Sequence, residues 1–214
     1  MTETGVSVFC DFNGTVVDRD VIDYLATTVV NKEVFAANTS MKGTRAEIAR
    51  KAALLRFDLA EAERRIEKGI RFDESFPEFW RACERKGFQF TIVTSGIRDL
   101  VERYLRRRGV SARVVANSAE YRLSGWEIRF RDASVSGIDK GEFVEEARSI
   151  GHRTVVVGDD ISDFSAAERA DRVFVKDGSP LDRHLADAHT PGYRFFNFAD
   201  LMAKWPVETW WPQG

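Results

Sequence analysis

The sequence predicts an α/β fold: a parallel sheet covered by helices, with a small helical cap inserted after the first strand. Three observations predict it. Short apolar, β-branched runs alternate with helical patterns, as they do when a parallel sheet packs between helices. Several of those runs are apolar throughout, as strands covered on both faces are. The stretch between the first two runs is too long for one crossover helix.

The elements follow in order. The first strand is Val6 to Phe12. From about Val16 to Lys86 the pattern is helical almost throughout. Within it Asp58 caps a helix from Leu59 to Lys68, with Glu61 at the third helical position and Gly69 as the stop. A helix from about Glu74 to Arg85 leads back into the core. Strands are expected at Phe88 to Thr94, Arg113 to Ala116, Thr154 to Val157 and Arg172 to Val175. Between Asn117 and Ser136, residues Tyr121, Leu123, Trp126, Ile128 and Phe130 partly alternate with polar ones about Ser124-Gly125, which reads as a β-hairpin. The aromatic tail, with Trp205, Trp210 and Trp211, is expected to pack on the domain, with a dimer contact as the alternative. The domain division expected is 1–15 with 87–214 as the core and 16–86 as the cap.

The bulk numbers bound the function. A chain of 214 residues suits one α/β domain with a modest insertion. Its net charge of -2 gives no reason to expect nucleic-acid binding. The run Arg106-Arg107-Arg108 reads as the basic end of a helix. Cys10 and Cys83 have neither zinc nor disulfide spacing and are expected as reduced core residues. No signal peptide and no membrane-crossing run is visible, so a cytoplasmic monomer or homodimer is expected.

Four stations carry the chemistry. The first is Asp11, delivered by an apolar strand to its C-terminal tip, where open α/β sheets place their reactive groups; a carboxylate there can attack phosphorus. The second is Thr94-Ser95-Gly96, a hydroxyl and backbone N–H groups at a strand-to-helix turn, an arrangement that binds anions or caps the helix starting at Ile97. The third is Lys140, entering a helix, where its charge offsets phosphate. The fourth is Gly158-Asp159-Asp160-Ile161-Ser162-Asp163, a carboxylate cluster suited to a hard cation such as Mg²⁺.

This order resembles the haloacid dehalogenase superfamily of phosphatases and phosphotransferases, over nearly the whole chain. Asp11-Phe12-Asn13-Gly14-Thr15 resembles its first motif, Thr94 its second, Lys140 its third, and Gly158, Asp159 and Asp163 its fourth. Ala116-Asn117-Ser118-Ala119-Glu120 with the hairpin looks like the phosphoserine phosphatase branch. Phe9-Cys10-Asp11-Phe12 and the Phe195-Phe196-Asn197-Phe198 tail look closest to the 2-hydroxy-3-keto-5-methylthiopentenyl-1-phosphate phosphatases. The resemblance implies a Rossmann-like core and Mg²⁺-dependent hydrolysis of a small phosphorylated metabolite through an aspartyl-phosphate on Asp11. It implies that Asp11, the backbone carbonyl of Asn13 and Asp159 hold the metal, with Asp163 a ligand or its support. Thr94, Ser95, Gly96 and Lys140 would hold the phosphoryl oxygens.

Asn13 departs from the pattern. The family keeps an aspartate there as proton donor and acceptor; a carboxamide keeps the shape and loses the proton traffic. Three accounts stay open from the sequence. A substitution introduced to stop turnover is favoured by the integrity of every other station. A natural departure would give a slow enzyme or a silent phosphometabolite-binding protein. An Asn-Gly pair can also deamidate to aspartate. A phosphotransferase is a further alternative. Asp18, Asp20, Tyr24, Arg45, Arg56 and Arg71 lie near the cap, each expected as a solvated side chain rather than a ligand contact. His152, His184 and His189 have no partner spacing for a metal or triad.

Overall fold

The computed structural model describes residues 5–30, 43–122 and 124–210. Leu123, Trp211 and the 31–42 part of the expected cap lie outside the described residues.

The strands are β1 (Val6–Cys10), β2 (Gln89–Ile97), β3 (Arg113–Arg122), β4 (Gly125–Arg129), β5 (Arg153–Gly158), β6 (Arg172–Lys176) and β7 (Tyr193–Phe195). The helices are α1 (Val21–Thr27), α2 (Arg45–Ala52), α3 (Leu59–Gly69), α4 (Phe76–Arg85), α5 (Arg98–Arg106), α6 (Lys140–Ser149), α7 (Phe164–Ala167), α8 (Pro180–Asp187) and α9 (Phe198–Lys204). They build a seven-stranded sheet in the order β4-β3-β2-β1-β5-β6-β7. Every pairing is parallel except β3 with β4. Order reverses at β1, which lies between β2 and β5, and such switch points open a crevice at the strand ends.

β1 is central because its side chains are apolar on both faces: Val6, Val8 and Cys10 are buried in the main core, while Phe9 packs with Val93, Val115 and Phe143 on the opposite side. It ends at Cys10, two residues before the expected Phe12. The backbone N–H of Asp11 still donates to Val157 O, which fixes the reactive carboxylate to the β5 edge. Strand β2 runs on to Ile97, and its pairing with β3 slips between Thr94 and Ile97. The Thr94-Ser95-Gly96 segment is therefore an irregular strand end, and the helix expected from Ile97 begins at Arg98. Strand β3 continues from the expected Arg113–Ala116 into the hairpin without a break. Cross-strand pairs, including Tyr121 with Trp126, align it with β4.

Helix α3 starts where Asp58 accepts a hydrogen bond from Glu61 N–H. Gly69 is its last residue, and its lack of a side chain is explained by a neighbour: a Cβ there would lie 2.0 Å from the Tyr24 hydroxyl. Tyr24 donates to Arg65 O, so its hydroxyl joins α1 to α3. Helices α2 and α3 each pack on α1, whereas α4 packs on β2 and α9. The Arg106–Arg108 run closes α5, with Arg107 paired to Glu63 and Arg108 to Glu67 on α3.

The tail packs on the core. Trp210 is buried and stacks on Phe174 and Phe88, burial of a kind worth about 1.5–3 kcal/mol or more per large side chain. Cys10 and Cys83 are buried free thiols.

Candidate active site

The four stations converge at the carboxyl ends of β1, β2 and β5. Asp139 caps α6 by accepting from Gly141 N–H, which sets Lys140 at the first helical position. From there the Lys140 ammonium donates to Asp11 Oδ1 at 2.7 Å and to Asp163 Oδ1 at 2.6 Å. All of these side chains are buried, at 4% exposure for Lys140, 5% for Asp11 and 1% for Asp163. The second oxygen of Asp163 accepts from the N–H groups of Asp159 and Asp160. Asp159, half-buried, accepts from the Thr15 hydroxyl at 2.6 Å.

Two glycines make this approach possible. Gly14 has φ +85°, and a Cβ on it would lie 2.1 Å from Asp159 Oδ2. A Cβ on Gly158 would lie 2.6 Å from the Asp163 carboxyl. Any side chain at either position would push a carboxylate out of the cluster.

The electrostatics are unbalanced. Asp11, Asp159 and Asp163 each offer a carboxylate oxygen within 4.8 Å of the others, and Lys140 is the ammonium bonded among them. Burial pushes the Asp11 carboxyl well above the usual carboxylate range; Lys140 opposes this and the neighbouring carboxylates add to it. Burial, then Asp163, pushes Asp159 up to about 7. Burial acts against the Lys140 charge, but Asp11 and Asp163 outweigh it and keep the ammonium protonated. Surplus buried negative charge on hard oxygen donors is the chemistry that suits a divalent cation. The residues present fit a hard divalent cation, the class to which Mg²⁺ belongs.

Asn13 lies at the start of α1. Its carboxamide donates to Asp20 Oδ2 at 2.8 Å and accepts from Val21 N–H at 3.3 Å. Asp20, the N-cap of α1, is pushed up to about 6, first by burial and then by Asp23. Gly96 approaches from the β2 side, where a Cβ would lie 3.7 Å from Asn13 Nδ2. Thr94 is fully buried and its hydroxyl accepts from Gly96 N–H, so that N–H is engaged by the hydroxyl beside it. Asn117 holds the segment in place by donating to Ser95 O and Ser136 O.

Sequence reasoning passed over several of these groups. Thr15 stands in the sequence only as part of the first motif, Asn117 as the start of the hairpin segment and part of a resemblance, and Asp20 as an expected solvated side chain. An N-cap signal at Asp20, just before the apolar Val21-Ile22, was available. Lys51, on α2, gave no signal of its own. Of the other cap residues, Tyr24 packs on α3, Arg56 is exposed, and Asp18 pairs with exposed Arg71 beside a groove of about 670 Å³ that Gly14 and Thr15 also line. His152 bonds Ser7, and His184 meets the Phe164 ring edge-on.

A parallel sheet with a buried aspartate and lysine at its strand ends defines a class, and comparison agrees with it. Residues 8–168 match the haloacid dehalogenase-like hydrolase family, and the chain belongs to it. It is 29% identical to Pdp3-interacting factor 1 of Schizosaccharomyces pombe, covering 91% of this chain and 92% of that protein. It is 26% identical to the polyol phosphate phosphatase PYP1 of Saccharomyces cerevisiae, over 92% and 91% of the two chains. It is 27% identical to a 2-hydroxy-3-keto-5-methylthiopentenyl-1-phosphate phosphatase of Lysinibacillus sphaericus, over 91% of each. The fold matches apo phosphoserine phosphatase with a TM-score of 0.70 at 20% identity, over 95% of this chain and 99% of that one.

Proposed function

We propose that this chain is a Mg²⁺-dependent phosphatase that hydrolyses a small phosphomonoester through an aspartyl-phosphate on Asp11, slowed by asparagine at position 13. The observation that carries the reading is the buried Asp11–Lys140–Asp163 chain beside Asp159. Structural packing alone gives no reason to bury this much charge, because desolvation costs several kcal/mol per ion. The names of the relatives support phosphate-ester hydrolysis as the reaction. They carry different small esters, so they do not single out a substrate.

Each residue then has a task. Asp11 attacks phosphorus in line and displaces an alcohol. Lys140 orients Asp11 and faces the charge that develops on the phosphoryl oxygens. Thr94, Ser95 and Gly96 bound the phosphoryl pocket from the β2 side. Mg²⁺, held by the Asp11 carboxylate, the Asn13 carbonyl and Asp159, would supply positive charge to the reacting phosphoryl group. Asp163 supports rather than ligates, because Lys140 and two backbone N–H groups already engage its oxygens. Residues 16–86 form the cap, with α4 its return into the core, and the chain acts in the cytoplasm as a monomer or homodimer.

Asn13 is the weak part. Its amide is anchored between Asp20 and Val21 and can neither protonate the leaving oxygen nor take a proton from water. Both halves of the reaction slow, while the phosphate site keeps its shape. That same observation supports a second reading, a silent phosphometabolite-binding protein. Turnover of a panel of small phosphomonoesters by the Asn13→Asp form distinguishes them. The phosphatase reading expects a gain of about 10²–10⁴ in kcat. Unchanged absence of turnover with intact ligand binding would favour the binding protein.

A further inference from the structure

The buried carboxamide of Asn117 joins two segments of the site, and the chemistry above gives it no task. Its place in the sheet is irregular. Thr94 of β2 pairs with Ala116 of β3, and Ile97 pairs with the next β3 residue, Asn117. Ser95 and Gly96 are therefore extra residues on the β2 side, a bulge that takes their peptide groups out of the ladder. Backbone groups released inside a protein need new partners. Asn117 supplies one, donating to Ser95 O at 2.8 Å. The Thr94 hydroxyl supplies the other, accepting from Gly96 N–H at 3.2 Å. These two side chains hold the opposite poles of one planar peptide unit.

The same carboxamide reaches two further segments. It donates to Ser136 O at 3.3 Å, in the loop that runs into Lys140, and its Oδ1 accepts from Arg131 N–H at 3.1 Å, beyond β4. Two carbonyls and one N–H admit a single orientation of the amide. Gly137 has φ +80°, and a Cβ there would lie 3.0 Å from Asn117 Oδ1, so the Lys140 loop is seated directly against the carboxamide. Asn117 is 1% exposed, and a buried amide with its donors and its acceptor all engaged makes a rigid joint. That joint ties the bulge to the loop carrying Lys140, the two segments assigned to the phosphoryl oxygens.

We propose that Asn117 is a positioning residue for phosphoryl transfer. Its carboxamide fixes the Ser95–Gly96 bulge relative to Lys140, so that both meet the phosphoryl group as charge develops on it. This rests on the phosphatase reading given above.

The test takes the Asn13→Asp form with Mg²⁺ as parent, p-nitrophenyl phosphate as substrate and orthovanadate as a mimic of trigonal-bipyramidal phosphorus. In Asn117→Ser the hydroxyl is too short to span both carbonyls. Its kcat should fall about 10–100-fold, with the vanadate Ki rising by about the same factor and KM changing by less than about threefold. Asn117→Asp, close in shape but without the amide donors, should show the same pattern. Parental kcat and vanadate Ki with only a lower melting temperature would make Asn117 a packing residue and overturn the proposal. A raised KM with unchanged kcat would overturn it too, since that marks a ground-state contact. Hydrogen exchange in the parent keeps the test independent of how the variants fold. Vanadate should slow exchange at Arg131 N–H, whose acceptor is Asn117 rather than the ligand. Unchanged exchange there, with residues 94–97 slowed, would overturn the proposal and leave the phosphatase reading standing. No phosphate release and no vanadate binding by the parent would remove that reading and this one with it.

Discussion

Two buried lysines divide this molecule. Lys140 and Lys51 are equally hidden, and each bridges two carboxylates. Yet they sit in different company. Lys140 joins segments 129 and 23 residues away in sequence, and Asp159 adds further negative charge beside it. Lys51 joins its own helix to the neighbouring α1. The first arrangement ties together segments far apart in sequence and leaves surplus negative charge of the kind that suits a cation. The second is satisfied within the cap, by carboxylates of its own helix and of α1. Burial of a charge therefore says little about its role until its surroundings are counted.

The comparison can be broken by removing each ammonium in turn. Lys140→Met should lower kcat by about 10²–10³, the cost of losing one preorganised donor to developing charge. It should also lower the thermal midpoint, because Asp11 and Asp163 lose their counter-ion. Turnover within tenfold of the parent would show that Lys140 is structural.

The cation account sharpens it next. With Asp159 pushed up to about 7 and Asp11 pushed up as well, the metal-free fold holds protons there that the unfolded chain has released. The folded state binds more protons above the unfolded carboxylate range, so this site's contribution to stability falls as pH rises towards 7. A divalent cation such as Mg²⁺ held by these carboxylates would displace those protons. Its stabilising shift in melting temperature should therefore be larger at pH 8 than at pH 5.5. A shift equal at both values would contradict carboxylate ligation at this site.

Lys51→Met should act differently. A loss of about 1–3 kcal/mol in unfolding free energy is expected from stranding Glu47 and Asp23, less if water reaches Asp23. Hydrolysis of an aryl phosphate should fall far less than in Lys140→Met. Equal falls in both variants would erase the distinction between the two lysines. Smallest of all, Arg107→Ala should cost about 1 kcal/mol or less in denaturant unfolding, because Arg107 is half-exposed and Arg103 still pairs with buried Glu63.

The same contrast explains how much the sequence revealed. Strand runs, the Asp58 cap and the positions of Asp11, Lys140 and Asp159 were readable because each has a local signature at a strand or helix end. The irregular end of β2 was not, since a pairing slip depends on β3. Three-residue β7 was too short to show a pattern. Gly69 was read as a helix stop, and its spatial reason, the Tyr24 hydroxyl, is visible only in three dimensions. Asp20 is expected as a solvated side chain and Lys51 has no local signal, because their partners are set by how α1 and α2 pack. Side chains carried by motifs at strand ends were legible; the contact of two cap helices was not.

The central claim is that Asp11 is the nucleophile, and asparagine at position 13 makes it directly testable. An aryl phosphate has a leaving group that departs without a proton, so phosphorylation needs no acid, whereas hydrolysis of the intermediate still needs a base. The chain should be mixed with p-nitrophenyl phosphate and Mg²⁺, quenched in acid and mapped by mass spectrometry. The account predicts a stoichiometric burst of nitrophenol and a phosphate adduct on Asp11, both absent from Asp11→Asn. Nitrophenol release at the same rate from Asp11→Asn, or an adduct on another residue, would contradict it.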